Sequence, residues 1–425
     1  MSLLLEILLR LVFLSLPLAQ VRFTIADIPI YVPEALVFLS GIVFLFGFRN
    51  GSTRRFHTPF WLVSGILLLM VGAILTAYVG GADREALGAV KSWIVFPLGL
   101  GFLLSSTAVD RVVRHRMITW WFFGIVVVSA VSFFGGRFSS MTYDGRLSSF
   151  YPSPNHLAMF LEAGIFFGTY LAATASLRRN GLLAAAGTIL ISVAVLRTGS
   201  EGAYVAILAG FGFLWLLSAS KPRRLVIASA IIAVLVFGAT FLFMNGTVTR
   251  LGSGEVRNSV ASRVMIWNAA GRMIVEHPIT GIGLRNFEAE YLALQPLFPR
   301  YLEWAVPHPN NVVLSVWLGT GLLGLSGFAV LTVGAFRVSF RILCRENAPM
   351  LMREGALYLA VLVAFVVHGS VDTPLLRNDL SMGYFALLGM IAAAGSMWNP
   401  RDTGQEDAFS LMRKSLPLVR SVKKR

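Results

Sequence analysis

The feature that most constrains this chain is a succession of long apolar runs separated by short polar segments. Twelve can be drawn, at 3–19, 33–48, 59–79, 92–108, 117–135, 156–176, 182–197, 201–219, 224–244, 309–334, 355–371 and 379–398. A helix of about 20 residues crosses the roughly 30 Å hydrocarbon core of a bilayer. Inside that core every backbone N–H and C=O must be satisfied within the segment, so runs of this kind fold as helices. Composition agrees: the chain is 56% hydrophobic and 13% charged, with a mean hydropathy of +0.73. A soluble domain cannot cover that much apolar surface. The sequence therefore predicts an all-α polytopic membrane protein of about 12 transmembrane helices, forming a single integral membrane unit over 1–425. The first run has no basic leader and carries Glu6 and Arg10 one helical turn apart, so it reads as a first span rather than a cleaved signal.

The net charge of +15 is scattered in small clusters between the apolar runs. That pattern sets topology, and it points to membrane lipid rather than nucleic acid as a partner. With the amino terminus inside, the inner loops read "RNGSTRR", "DRVVRHR", "LRRN", "SKPRR" and "RVSFRILCRENAPMLMRE", followed by the tail ending "SVKKR". Together they hold 22 of the 36 Lys and Arg, which predicts cytoplasmic termini and a basic cytoplasmic tail over 399–425. Cys344, the single cysteine, excludes an internal disulfide and a cysteine-based metal site. No metal and no cofactor is expected.

One connection is too long to be a plain link, the segment 245–308 between the ninth and tenth runs, and the charge pattern puts it outside. It carries six arginines (250, 257, 263, 272, 285, 300), five glutamates and no lysine. "ASRVMIWNAAGRMIVEHP" spaces Val264, Trp267, Ala270 and Ile274 as one face of an amphipathic helix, ended by Pro278 and a "GIGLRNF" turn. Arginine forks bind phosphate bidentately, so Arg263, Arg272 and Arg285 are candidates to hold a phosphate-bearing lipid. The same composition also fits a solvated loop whose arginines pair with its own glutamates.

Charged groups at membrane depth are costly and face a cavity or a partner. Glu162 follows His156 by six residues behind "YPSPN", Arg197 and Glu201 flank "TGS", and His368 and Asp372 precede "PLLRND". Each pair also fits a structural bridge. Apart from Glu6, Arg10 and Glu162, these groups gather towards the outer face.

"SRVMIWNAAGRMIVEHPITGIGLRNF" and "HPNNVVLSVWLGTGLLG" resemble the core region of the O-antigen ligase and polymerase family of bacterial membrane proteins. "FYPSPNHLAMFLEAG" and "TGSEGAYVAIL" resemble further family segments. The resemblance implies a glycosyltransferase-C-like, metal-independent enzyme of the bacterial inner membrane, with its large loop in the periplasm. It implies an undecaprenyl-pyrophosphate-linked glycan as donor, and lipid A–core or another lipid-linked glycan as acceptor. Arginines would hold the pyrophosphate, and a loop histidine would assist the acceptor hydroxyl, as attack on an anomeric carbon requires.

The family pattern sets a histidine two positions ahead of nine residues and Gly-x-x-Gly. Counting back from Gly321 puts Asn311 and Asn310 at that pair, with His308 two residues earlier. An amide is no base at neutral pH whereas imidazole is, so His308 and Asn310 are both carried as catalytic candidates. "SEG" at Ser200–Gly202 replaces the more usual Ser-Arg-Gly, and Arg197 stands one turn away to supply the charge. The binding candidates are Arg263, Arg197, Glu201, Arg285, Arg272, Asn311 and Asp372. Asn310 and Asn311 also suit helix capping, and Gly321 and Gly324 suit close helix packing. A transporter of lipid-linked glycan, or a non-catalytic member that only binds it, remains open at this point.

Overall fold

The computed structural model describes residues 3–25, 28–49, 58–81, 84–136, 140–142, 144–217, 259–297, 306–345 and 347–396. Its helices are α1 (Leu3–Ser15), α2 (Val32–Arg49), α3 (Phe60–Val79), α4 (Arg84–Val90), α5 (Phe96–Thr107), α6 (Arg111–Phe134), α7 (Pro154–Thr174), α8 (Arg178–Thr198) and α9 (Glu201–Leu217). After the undescribed segment come α10 (Ser259–Glu276), α11 (Phe287–Leu294), α12 (Val312–Leu343), α13 (Pro349–Gly369) and α14 (Asn378–Ser396). A π-helical turn, Lys91–Val95, joins α4 and α5 into one apolar span.

Among the described residues nine helices are long and apolar enough to cross a membrane, and Val32–Gly47 and Glu201–Leu217 are shorter apolar helices. The chain is an all-α polytopic membrane protein. The run at 224–244 lies outside the described residues, and with it the full count of twelve. One small departure from all-helix occurs between α1 and α2. Arg22–Ile25 (β1) and Ile28–Tyr31 (β2) pair antiparallel, with Arg22 opposite Tyr31.

The bundle's two ends are defined by contacts between connections distant in sequence. At one end Asn378 Nδ2 donates to Ala19 O, Leu147 N to Arg197 O, and Arg263 Nε to Val371 O. Because α10 and α11 lie there, we call it the loop end. At the far end the fully buried Arg114 donates from Nε to Glu354 Oε2 at 2.8 Å, and from Nη1 to the carbonyls of Ala108 and Val109. Arg111 stands 3.3 Å from the other Glu354 oxygen. The carbonyls just past the end of α5 are thereby satisfied by a cation, which also neutralises a carboxylate that would otherwise be buried alone.

Helices α3 and α12 pack through small residues. A Cβ on Gly72 would fall 2.4 Å from Gly324 N, and one on Gly327 would fall 2.5 Å from Leu69 N. Apolar helices in lipid associate by such close approach, since no hydrophobic gain separates them from the tails. Gly324 thus serves packing, as its spacing suggests. Gly321 does something more: at φ 67, ψ −175 it breaks the helix within α12. The backbone bonds freed by the break are taken up by the segment after α10. Leu322 N donates to Ile279 O at 2.9 Å, Ile282 N and Gly283 N donate to Leu318 O, and Trp317 Nε1 donates to Pro278 O at 2.8 Å. A turn in the long loop is therefore stitched by its backbone into a membrane helix.

Helix α10 is amphipathic, but its buried face is only partly the predicted one, sharing Ala270 with it. Ile266, Ala269, Ala270 and Met273 are buried against Phe287, Tyr291 and Leu318, whereas Val264 is 46% exposed and Trp267 and Ile274 are only partly covered. The helix beds on α11 and α12 rather than on a flat interface, and this rotates the covered stripe by about one residue, roughly 100°.

Candidate functional site

At the loop end, the connection from α6 to α7, the first turn of α7 and the α13–α14 connection bring a set of polar side chains together. Ser153 caps α7, its Oγ accepting from His156 N. This fixes Asn155 and His156 on the first turn. Asn155 Nδ2 donates to Asp372 Oδ2 at 3.1 Å, and its Oδ1 accepts from Arg146 Nη2 at 2.7 Å. Arg146 Nε in turn donates to Thr198 O, against the left-handed Gly199 that ends α8.

His156 is buried between Arg377 and Asp379. Arg377 Nη1 is 2.8 Å from His156 Nδ1, and His156 Nε2 lies 3.1 and 3.2 Å from the two Asp379 carboxylate oxygens. A guanidinium only donates, so Nδ1 is the acceptor and the imidazole proton sits on Nε2, given to Asp379. The second terminal nitrogen of Arg377 binds Nε2 of His308. By the same logic His308 carries its proton on Nδ1. Burial first, and then the Arg377 guanidinium, push His308 from its ordinary 6.5 down to about 3. Burial would raise the Asp372 carboxyl, but His308, His368 and Arg377 hold it below the usual range, and Thr373 N donates to it at 2.7 Å. One level deeper, His368 Nδ1 and Glu162 Oε2 are 2.7 Å apart. Glu162 and Asp379 line an otherwise apolar cavity with Trp121, Phe160, Phe365 and Tyr384.

Arg263 reaches this group from α10, donating from Nε to Val371 O at 2.8 Å, one residue before Asp372. Asn311 caps α12, its Oδ1 accepting from Val313 N and Leu314 N, while its Nδ2 donates to Ser370 O at 3.0 Å. That bond ties the start of α12 to the end of α13. Asn310 sits beside it with φ 49, a left-handed conformation that asparagine tolerates.

The family model described as O-antigen ligase matches residues 186–329. That segment, about a third of the chain, is similar to the O-antigen ligase family. The match supports an O-antigen ligase-like function in surface-glycan assembly, and that family works in general with lipid-linked glycan and lipid A–core. No curated protein matches the chain. The matched O-antigen ligase segment supplies Arg263, His308, Asn310, Asn311 and both glycines of Gly321-x-x-Gly324. Arg146, His156, Asp372, Arg377 and Asp379, to which these residues are joined, lie outside it.

Of the O-antigen ligase candidates named from sequence, the fold brings Arg263, His308, Asn311 and Asp372 to one place. It leaves others aside. Arg197 and Glu201 are exposed at the α8–α9 turn, and it is Arg146 that lies against that turn. Arg285 stands 3.2 Å from Glu85, with both side chains largely exposed, and Arg272 is exposed on α10. Arg377, Asp379, Asn155 and Arg146 were not singled out as site residues. The available signal was "PLLRND", an Arg and an Asp set between two apolar runs where charge is expensive.

Proposed function

We propose that this chain transfers a glycan from undecaprenyl pyrophosphate to a sugar hydroxyl at the periplasmic face of the bacterial inner membrane. In that reading the segment 245–308 is periplasmic, and both termini, with the tail 399–425, are cytoplasmic. One observation carries it. Arg263, an arginine within the family-matched segment, is hydrogen-bonded to the α13–α14 connection, so α10 and the His308–Arg377–Asp372 group form one site. Positive charge fixed beside a low-dielectric cavity is suited to the negative charge that gathers on a departing pyrophosphate. As the acceptor oxygen bonds to the anomeric carbon, the bond from that carbon to the pyrophosphate oxygen breaks. The cluster at one end of the bundle also fits transfer better than transport, whose sites lie near the midplane between repeated halves. His308 and Asn310 face the acceptor in this scheme, and Arg263 faces the donor.

The test is deletion of the gene, followed by complementation with wild type or Arg263→Lys and analysis of surface and lipid-linked glycan. Lysine keeps the charge of Arg263 but loses the fork. The expected result is loss of glycan chains from lipid A–core on deletion, with lipid-linked polymer accumulating and Arg263→Lys failing to restore the chains. Single repeats on lipid A–core would instead mark a polymerase. Unchanged surface glycan in the deletion strain would end the proposal.

A further inference from the structure

Two buried N–H groups in the cluster have no acceptor among the described residues, Arg377 Nε and His308 Nδ1. They belong to side chains bonded to each other. Arg377 directs its terminal nitrogens at the imidazoles of His156 and His308, so Nε–H is the part of its fork left over. His308 gives its Nε2 lone pair to Arg377, which leaves Nδ1–H as its one donor. A buried donor without an acceptor forfeits its hydration, and folded interiors rarely leave even one. Two on a joined pair mark a place where an oxygen is to be received.

Charge balance decides which oxygen. Arg377 already faces two carboxylates, Asp372 and Asp379. A phosphate oxygen entering beside it would meet both of these carboxylates, which the single charge of Arg377 does not offset. A sugar hydroxyl is uncharged, accepts two N–H bonds and still has a proton to give to a carboxylate. The neighbouring surface agrees with a sugar. Phe150 and Tyr151 are stacked with ring centres 4.8 Å apart, Tyr151 meets His156 edge-on at 4.9 Å, and the buried Tyr151 hydroxyl also has no partner among the described residues. Taking the transfer reading above as its basis, we propose that Arg377 and His308 together receive a hydroxyl oxygen of the acceptor sugar, leaving the donor's pyrophosphate to Arg263. His308, so held, acts as a hydrogen-bond donor and not as the base.

The full-length protein, reconstituted in liposomes with an undecaprenyl-pyrophosphate-linked glycan, is assayed against rising lipid A–core. Arg377→Gln and His308→Leu are each expected to raise the KM for lipid A–core about 10- to 100-fold, the range for lost hydrogen bonds to a charged or buried donor. The KM for the donor should stay within about twofold of wild type, while Arg263→Lys shows the opposite split. A raised donor KM with an unchanged acceptor KM in the Arg377 variant overturns the assignment, as does no change in either constant. Thermal unfolding selects folded variants, and Arg377→Lys replaces a glutamine variant that does not fold. If wild type transfers nothing to lipid A–core, the transfer reading fails by itself and binding decides the present one. Deacylated, dephosphorylated core oligosaccharide and inorganic pyrophosphate are then each titrated into the detergent-purified protein. Oligosaccharide binding by wild type that is lost in Arg377→Gln sustains the proposal. Binding that persists in the variant, pyrophosphate binding lost in its place, or no oligosaccharide binding by wild type overturns it.

Discussion

Replacing Gly321 with alanine probes the join between the loop and the membrane helices. The residue sits at φ 67, ψ −175, a region nearly reserved for glycine. Holding an alanine there costs about 1–3 kcal/mol. Its Cβ would also lie 2.6 Å from Ile279 O and 2.9 Å from Thr280 O. Real Cβ atoms do not approach so closely, and overpacking of this kind adds about 1–3 kcal/mol. The total, roughly 2–6 kcal/mol, is a large part of the stability of an ordinary fold. The strain can be relieved short of unfolding if the 278–283 segment lets go of α12. That would free four bonds, from Leu322 N, Ile282 N, Gly283 N and Trp317 Nε1, and with them the seat of α10 and Arg263. The assay pairs thermal unfolding in detergent with glycan transfer. Gly271→Ala is the control, because a Cβ there meets nothing within 4 Å and alanine favours the helix by about 1 kcal/mol. We expect Gly321→Ala to unfold well below wild type and to lose transfer, with Gly271→Ala at or above wild type in stability. Wild-type stability and activity in Gly321→Ala would refute the reasoning.

Two further outcomes are expected. Asn311→Ala should lower stability by about 0.5–2 kcal/mol through the lost cap. Asn311→Asp keeps the accepting oxygen and loses only the bond to Ser370 O, so it should fall between alanine and wild type in the same unfolding assay. For His308 the folded value of about 3 lies below the ordinary 6.5, so the unfolded chain binds the proton first as pH falls. Its contribution to stability is complete above about pH 6.5 and is lost progressively towards pH 3. Unfolding midpoints measured across that window should drop more steeply for wild type than for His308→Gln, and parallel curves would show that His308 does not titrate this way.

The spans were legible because lipid leaves the backbone no alternative to helix, and the eleven runs within the described residues all coincide with helices. Asn311 was legible as a cap, since an asparagine just ahead of an apolar run has few better uses. The rotation of each helix was not legible. A helix apolar on every side does not reveal which face meets a neighbour, so nothing in the sequence joins His156 to Asp379, 223 residues later. Arg377 was hidden for the same reason: it was read as one charge in a turn, and its two imidazole partners lie far away in the chain. The loop arginines could not be separated by type, and only the docking of α10 distinguishes Arg263, which is inside the cluster, from Arg285 and Arg272, which are outside it. Val264 misled because α10 has apolar residues on more than one side.

Helix α13 is pinned by polar contacts at both ends, Glu354 to Arg114 at the far end and His368 to Glu162 near the loop end. The two anchors are 14 residues apart, about 21 Å along the axis. Leucine and valine have no preferred depth in hydrocarbon, so apolar packing alone lets a helix slide like a rod in a sleeve. Slipping α13 by one turn, about 5.4 Å, would strand two buried polar groups at once, and stranding each costs about 3–5 kcal/mol. The pair of anchors therefore works as a depth gauge. Because Asp372 and Arg377 hang from the end of this helix, their height against a lipid head group is set partly by an ion pair on the opposite side of the bundle. A change at Glu354 would then be felt across the bundle as misplaced chemistry, even though that residue touches nothing at the site.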